Sequence, residues 1–147
     1  MIYFDSAYLA KCYLAEMGYR EVRALAERSG PLKSVELAKT EVAAVFHRHL
    51  REGRFRPKEH KEFTLQFGQD CADGIVSFIP VSSALLVATQ SAYQKLPATF
   101  FLRSADCLHL CAAAEAGFKE IYSNDRHLLA AAPHFGLRGI DVIPVHP

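Results

Sequence analysis

The chain has 147 residues, half of them apolar and 22% charged, with a formal net charge of +1. These numbers argue for one soluble globular domain spanning 1–147 rather than two small ones. No apolar run reaches the roughly 18 residues that cross a membrane. The N-terminus also lacks the basic region and small-residue cleavage site of a secretory signal, so a cytoplasmic protein with no membrane partner is expected.

In chain order, "IYF" reads as a short buried strand, and "SAYLAKCYLAEM" follows with Tyr8, Leu9, Cys12 and Tyr13 at helical spacing. A second helix, "YREVRALAERS", stops at Gly30-Pro31, and "PLKSV" can hold a short strand. "VELAKTEVAAVFHRHLRE" predicts a helix ending at Gly53, and "PKEHKEFTLQFGQDCAD" another, with Pro57 in its first turn and Gly74 beyond its end. "IVSFIPV" (75–81) is a predicted strand, followed by the helix "SSALLVATQSAYQKL" capped by Ser82 or Ser83. "SADCLHLCAAAEAG" predicts an Ala-rich helix with Ser104 as N-cap and Gly117 as stop. "KEIYS" predicts a strand, "NDRHLLAAA" a short helix and "IDVIPV" the last strand.

Strands alternating with helices predict an α/β fold, with a central parallel sheet covered by helices on both faces as three α/β/α layers. Ligands of such sheets bind at the carboxyl ends of the strands.

Cys12, Cys71, Cys107 and Cys111 do not form a disulfide pattern. In "CLHLC" both thiols share one helical face, with His109 roughly opposite and no second ligand pair elsewhere. They read as small buried hydrophobes. The charge is uneven: "HRHLREGRFRPKEHK" (47–61) sets six basic residues, among them Arg48, Arg51 and Arg54, against Glu52 and Glu59. Such a run is a solvated face or a track for nucleic acid.

Four acids stand out. Asp5 ends the first strand and Asp125 follows a late one, so each can cap the next helix. Asp106 falls in a first helical turn, where a carboxylate suits the helix dipole. Glu41 lies on the same side as the apolar stripe Ala38, Val42, Val45, with Val45 and not a base at i+4. It either snorkels at the stripe's edge or is held inside by a partner. Converging on one crevice, four carboxylates need a cation to offset their repulsion. Hard oxygen ligands beside water suit Mg²⁺ or Mn²⁺, which activate water and stabilise a phosphoryl group in displacement.

Together "MIYFDSAYLAKCYL", "AKTEVAAVF", "LRSADCLHLCAAAEAGF" and "IYSNDRHLLAAAPHFGL" resemble a PIN-domain ribonuclease, and more narrowly VapC, the toxin of a bacterial or archaeal toxin–antitoxin pair. The resemblance runs from Met1 to about Pro144. It implies an endoribonuclease dependent on Mg²⁺ or Mn²⁺, with Asp5, Glu41, Asp106 and Asp125 as catalytic and metal-binding residues. It also implies hydrogen-bonding support from Ser6 and Asn124, a homodimer, and a cognate antitoxin whose tail fills the groove. Ala7 departs from the pattern, since many relatives carry a second hydroxyl residue there. His109, three residues after Asp106, reads as a structural neighbour of that carboxylate, and His47 and His49 as solvated or RNA-facing. Arg48, Arg51 and Arg54 are the candidate RNA contacts.

Other readings are a PIN nuclease acting in RNA processing rather than as a toxin, and a catalytically silent PIN-like module that binds RNA or protein; the complete acid set argues against the second. A signalling receiver domain would need an acidic pair near the first strand and a late-strand lysine, and neither is present.

Overall fold

The structure, a computed structural model, describes residues 1–145. Five short strands alternate with seven helices among these residues: β1 (Ile2–Tyr3), α1 (Ser6–Lys11), α2 (Tyr19–Ser29), β2 (Leu32–Val35), α3 (Leu37–Arg51), α4 (Pro57–Ala72), β3 (Val76–Ile79), α5 (Ser83–Lys95), α6 (Ser104–Glu115), β4 (Glu120–Tyr122), α7 (Arg126–Ala131) and β5 (Arg138–Ile140). A 3-10 turn, Ala132–Phe135, links α7 to β5.

All strand pairings are parallel: β1 with β2, β2 with β3, and β4 with β5. A single parallel bridge between Phe4 and Tyr122, backed by the Asp5 N–H donating to the Tyr122 carbonyl at 3.1 Å, joins the two groups. The strand order is therefore β3-β2-β1-β4-β5, with the first strand of the chain in the middle.

Alternation along the strands sorts side chains into two cores. Tyr3 and Val35 pack with α5, α6 and α7, through Leu85, Leu110 and Leu128 among others. Phe4, Leu32 and Val76 face the opposite way, onto Tyr8, Leu9, Val22, Val42 and Phe46 of α1, α2 and α3. The mixed α/β, three-layer arrangement expected from the sequence is the one observed. Among the described residues no helix is long and apolar enough to cross a membrane.

Local chemistry accounts for most boundaries. The Ser82 hydroxyl accepts from the Leu85 N–H at 3.1 Å, capping α5 as expected. Pro57 opens α4, where the Glu59 carboxylate accepts from the Arg56 N–H at 2.7 Å. Gly117, at φ +83°, ends α6 in the left-handed region that glycine enters freely.

Two expectations are corrected. The N-cap of α6 is Arg103, and Ser104 is the first helical residue. The last strand is Arg138–Ile140 rather than "IDVIPV", because β4 pairs Tyr122 with Ile140 and ends there. Gly139 permits that pairing, since a β-carbon on it would lie 2.9 Å from the Leu129 side chain and 3.0 Å from its Cα. Beyond β5 the chain crosses to α1. The Tyr8 hydroxyl donates to Asp141 Oδ1 at 2.6 Å and accepts from the Val142 N–H at 2.8 Å. Val142 and Ile143 are apolar because they pack against the α1–α3 core, not because they are strand.

All four cysteines are free, and Cys107 and Cys111 are buried in the α5–α7 core as the sequence suggested.

Candidate active site

At the carboxyl ends of β1 and β4, a cavity of about 680 Å³ is lined by Asp5, Glu41, Asp106 and Asp125, with Ser6, Ala7, Asn124 and the Arg103–Ala105 segment. The four acids singled out from sequence come together here from four elements. Asp5 follows β1, Asp125 follows β4, Asp106 lies in the first turn of α6, and Glu41 lies near the start of α3.

Asp5 serves two purposes. Its Oδ1 accepts from the Tyr8 N–H at 2.8 Å, capping α1, and its Oδ2 accepts a very short hydrogen bond from the Ser123 hydroxyl. The residue is only 5% exposed. Burial raises its carboxyl to about 6, against the opposing pull of Ser123, His109 and the Tyr8 N–H, while Glu41 adds to the rise. A cap alone does not require that cost.

Asp125 is likewise a cap with a spare oxygen. Its Oδ1 accepts from the N–H groups of His127 and Leu128 at 2.8 and 3.0 Å. Ser123 ties the two acids together, for its hydroxyl also accepts from the Asp125 N–H at 2.9 Å.

Glu41 is held by a partner, the second of the two possibilities the sequence left open. His109 Nε2 donates to Glu41 Oε1 at 2.8 Å, and His109 Nδ1 lies 3.0 Å from the Tyr3 hydroxyl. A carboxylate accepts, so the network places a proton on Nε2 and lets Tyr3 donate to Nδ1. Burial would raise the Glu41 carboxyl, but His109, Ser6 and Arg103 more than offset it and hold it below the usual range. His109 is therefore a structural neighbour of Glu41, not of Asp106 as its i+3 spacing suggested. The fold, rather than the helix, brings it to its acid.

The side chain that sequence reasoning missed altogether is Arg103. Its Nε donates to Asp106 Oδ2 at 2.9 Å and its Nη2 to Asp125 Oδ2 at 2.7 Å. Ser123 was missed as well; a hydroxyl one residue before Asn124 at the end of a buried strand was the available signal. Asn124, expected to support the site, is exposed at its rim. Ser6 lines the cavity beside Glu41 and Ala7 beside Ser6.

Arg48, Arg51 and Arg54 are exposed and do not line the cavity. Arg48 lies seven residues past Glu41, about 10 Å further along α3. Arg54 pairs with Glu52 at 3.2 Å. His47 is exposed, but His49 is buried and pairs with Glu16 Oε1 at 2.8 Å rather than standing in solvent.

The donor set tests whether a divalent ion fits. Among the described residues no three acid, histidine or cysteine side chains already stand close enough to enclose one. The set is nonetheless all carboxylate, opens to water, and has a guanidinium between two of its members. Mg²⁺ and Mn²⁺ need only one or two carboxylates with water and phosphate completing the shell, and the cavity offers four. The chemistry of the donor set suits such an ion, while as placed Arg103 holds two of the four acids.

No protein-family model matches the chain, and no curated protein matches it. Solved structures do. The crystal structure of VapBC2 from Rickettsia felis bound to a DNA fragment from their promoter superposes with a TM-score of 0.65 at 12% identity, covering 96% of this chain and 98% of that one. The structure of FitAB bound to the IR36 DNA fragment gives 0.68 at 11% identity, covering 100% and 99%. In each complex the matching chain is thus about as long as this one and resembles it end to end. At this identity the likeness shows the fold, which is the PIN-like one expected.

Proposed function

We propose that this protein is a metal-dependent endoribonuclease, the toxin of a toxin–antitoxin pair. The observation that carries the reading is the convergence of Asp5, Glu41, Asp106 and Asp125 on one open cavity at the strand ends. The fold shared with chains from VapBC2 and FitAB complexes supports the toxin–antitoxin setting and a protein antitoxin as partner.

Asp5, Glu41, Asp106 and Asp125 would hold Mg²⁺ or Mn²⁺. Such an ion, when bound, supplies a nucleophilic water and offsets charge on the scissile phosphate. The chain's own groups do the positioning. Ser123 fixes Oδ2 of Asp5 and the backbone of Asp125 at once. His109, braced by Tyr3, fixes Glu41. Rigid support of this kind keeps ligand atoms where they are needed without reorganisation. The exposed bases Arg48, Arg51 and Arg54 would draw the RNA backbone towards the cavity by phosphate neutralisation. A homodimer is part of the proposal.

The test is incubation of the purified chain with a panel of structured RNAs, with Mn²⁺ or with EDTA. Cleavage to 5′-phosphate and 3′-hydroxyl ends, abolished by EDTA and by Asp5→Asn, is expected; cleavage unchanged in EDTA refutes the metal mechanism. Expression alone should slow growth, with relief by Asp5→Asn or by co-expression of the neighbouring antitoxin frame. A chain that cleaves RNA but is harmless at high expression would favour RNA processing instead.

A further inference from the structure

Arg103 occupies a position that local chemistry does not favour. It is the N-cap of a twelve-residue helix, where Ser, Thr, Asp or Asn would accept from the first N–H groups, and its side chain makes no capping hydrogen bond. Ser104, which could have capped, sits one residue late. The exchange places a guanidinium in the carboxylate cavity.

There it takes particular atoms. Asp125 Oδ1 is committed to the His127 and Leu128 N–H groups, so Oδ2 is the oxygen free to face the cavity, and Arg103 Nη2 holds it. Arg103 Nε holds Asp106 Oδ2 in the same way. Arg103 also lowers the Glu41 carboxyl from a distance, so its charge reaches a third acid. The side chain is nevertheless 60% exposed, against 12% for Asp106 and 24% for Asp125. It reaches in from solvent, so leaving the acids would return it to water.

We propose that Arg103 is a built-in counterion that a divalent cation displaces, and that the released guanidinium then grips a phosphate of the RNA. The proposal rests on the nuclease reading above and assigns its phosphate-contacting residue. A guanidinium fork matches carboxylate and phosphate alike, so the same side chain serves both states without rebuilding. Without a cation, Arg103 bridges two acids that would otherwise repel and offsets one of their two charges. With one bound, those acids are neutralised from inside the cavity, and Arg103 is left charged at its mouth, beside the place a substrate phosphate must enter. The exposed Arg48–Arg54 run, at the far end of α3 and just beyond it, does not line the cavity.

The experiment is a calorimetric Mn²⁺ titration of wild type, Arg103→Gln and Arg103→Lys, with RNA cleavage measured at saturating Mn²⁺. Removing a competing, partly exposed ion pair should tighten Mn²⁺ binding by Arg103→Gln about tenfold, equivalent to about 1.4 kcal/mol. The same variant should cleave at least about tenfold more slowly with its metal site full. Arg103→Lys, which keeps the charge without the fork, should bind Mn²⁺ more nearly like wild type and still cleave slowly; it carries the test should the Gln variant misfold. Unchanged or weaker Mn²⁺ binding by Arg103→Gln overturns the counterion role, and undiminished cleavage at saturation overturns the phosphate contact. Absence of Mn²⁺ binding in wild type and variants alike overturns the nuclease reading itself, and this inference with it.

Discussion

Replacing Asp5 by Asn separates a helix cap from a member of a charge cluster. Asn caps as well as Asp, so loss of the cap is not expected. The carboxyl titrates at about 6 in the folded protein, against an ordinary 3.8, chiefly because it is buried. The folded state therefore binds the proton more tightly than the unfolded chain. Stability from this group is full below pH 3.8, falls as pH rises, and is lost above about 6. At 1.36 kcal/mol per pH unit, ionising Asp5 costs the metal-free protein about 3 kcal/mol at pH 8. Asn avoids that cost, but its amide meets the Ser123 hydroxyl with a donor instead of an acceptor, which returns about 1 kcal/mol. The net gain of about 2 kcal/mol corresponds to a melting temperature about 4–8 °C higher for a domain of this size. Thermal melting of both proteins in EDTA at pH 8 and at pH 4.5 measures it, and the gap should close at the lower pH. With Mn²⁺ the wild type should rise and overtake, because the ion binds its native state, while the variant rises less. Equal melting temperatures in EDTA at pH 8, or equal Mn²⁺-induced shifts, would mean that Asp5 is a cap and nothing more.

Ser123→Ala removes a hydrogen bond that lowers the Asp5 carboxyl, so the acid limb of the cleavage pH profile should move to higher pH, with activity at pH 6 falling more than at pH 8. His109→Ala leaves Glu41 without its donor and opens a hole beside Tyr3; urea denaturation should show a loss of about 2–4 kcal/mol. Changing Arg48, Arg51 and Arg54 together to Gln should reduce the slope of log affinity against log salt by about 2 for single-stranded RNA. Binding that keeps its wild-type strength and salt dependence would make this run a solvated face.

The acids were legible because each stands at a position that a short local pattern marks. Asp5 and Asp125 sit at strand-to-helix junctions, Asp106 sits in a first helical turn, and Glu41 interrupts an apolar stripe, and such positions survive in one dimension. The layers followed from the alternation of apolar runs for the same reason, whereas the strand order emerged only from the pairings in the fold. What was not legible depends on distance in the chain. Glu41 finds His109 across 68 residues and Arg103 finds Asp125 across 22, and no spacing rule reports either. The last strand was misplaced because "IDVIPV" is apolar on account of α1, while the true strand, "RGI", is short, polar at its start and made possible by a glycine. Helix spacing assigned His109 to Asp106 and left His49 in solvent; packing overruled both.

The central place of β1 has a consequence for synthesis. This two-residue strand cannot stand alone, and its neighbours are β2, about thirty residues on, and β4, nearly 120 residues on. The helix that Asp5 starts is clasped through Tyr8 by Asp141 and Val142, almost the whole chain later. Contacts so far apart close slowly, and a ribosome delivers β4 and Asp141 well over a hundred residues after the strand and the helix that they hold. Asp5, the first of the four acids in the message, thus waits for late-delivered elements to acquire its geometry. A nascent chain that has not yet delivered β4 would carry Asp5, Glu41 and Asp106 without holding them as a site.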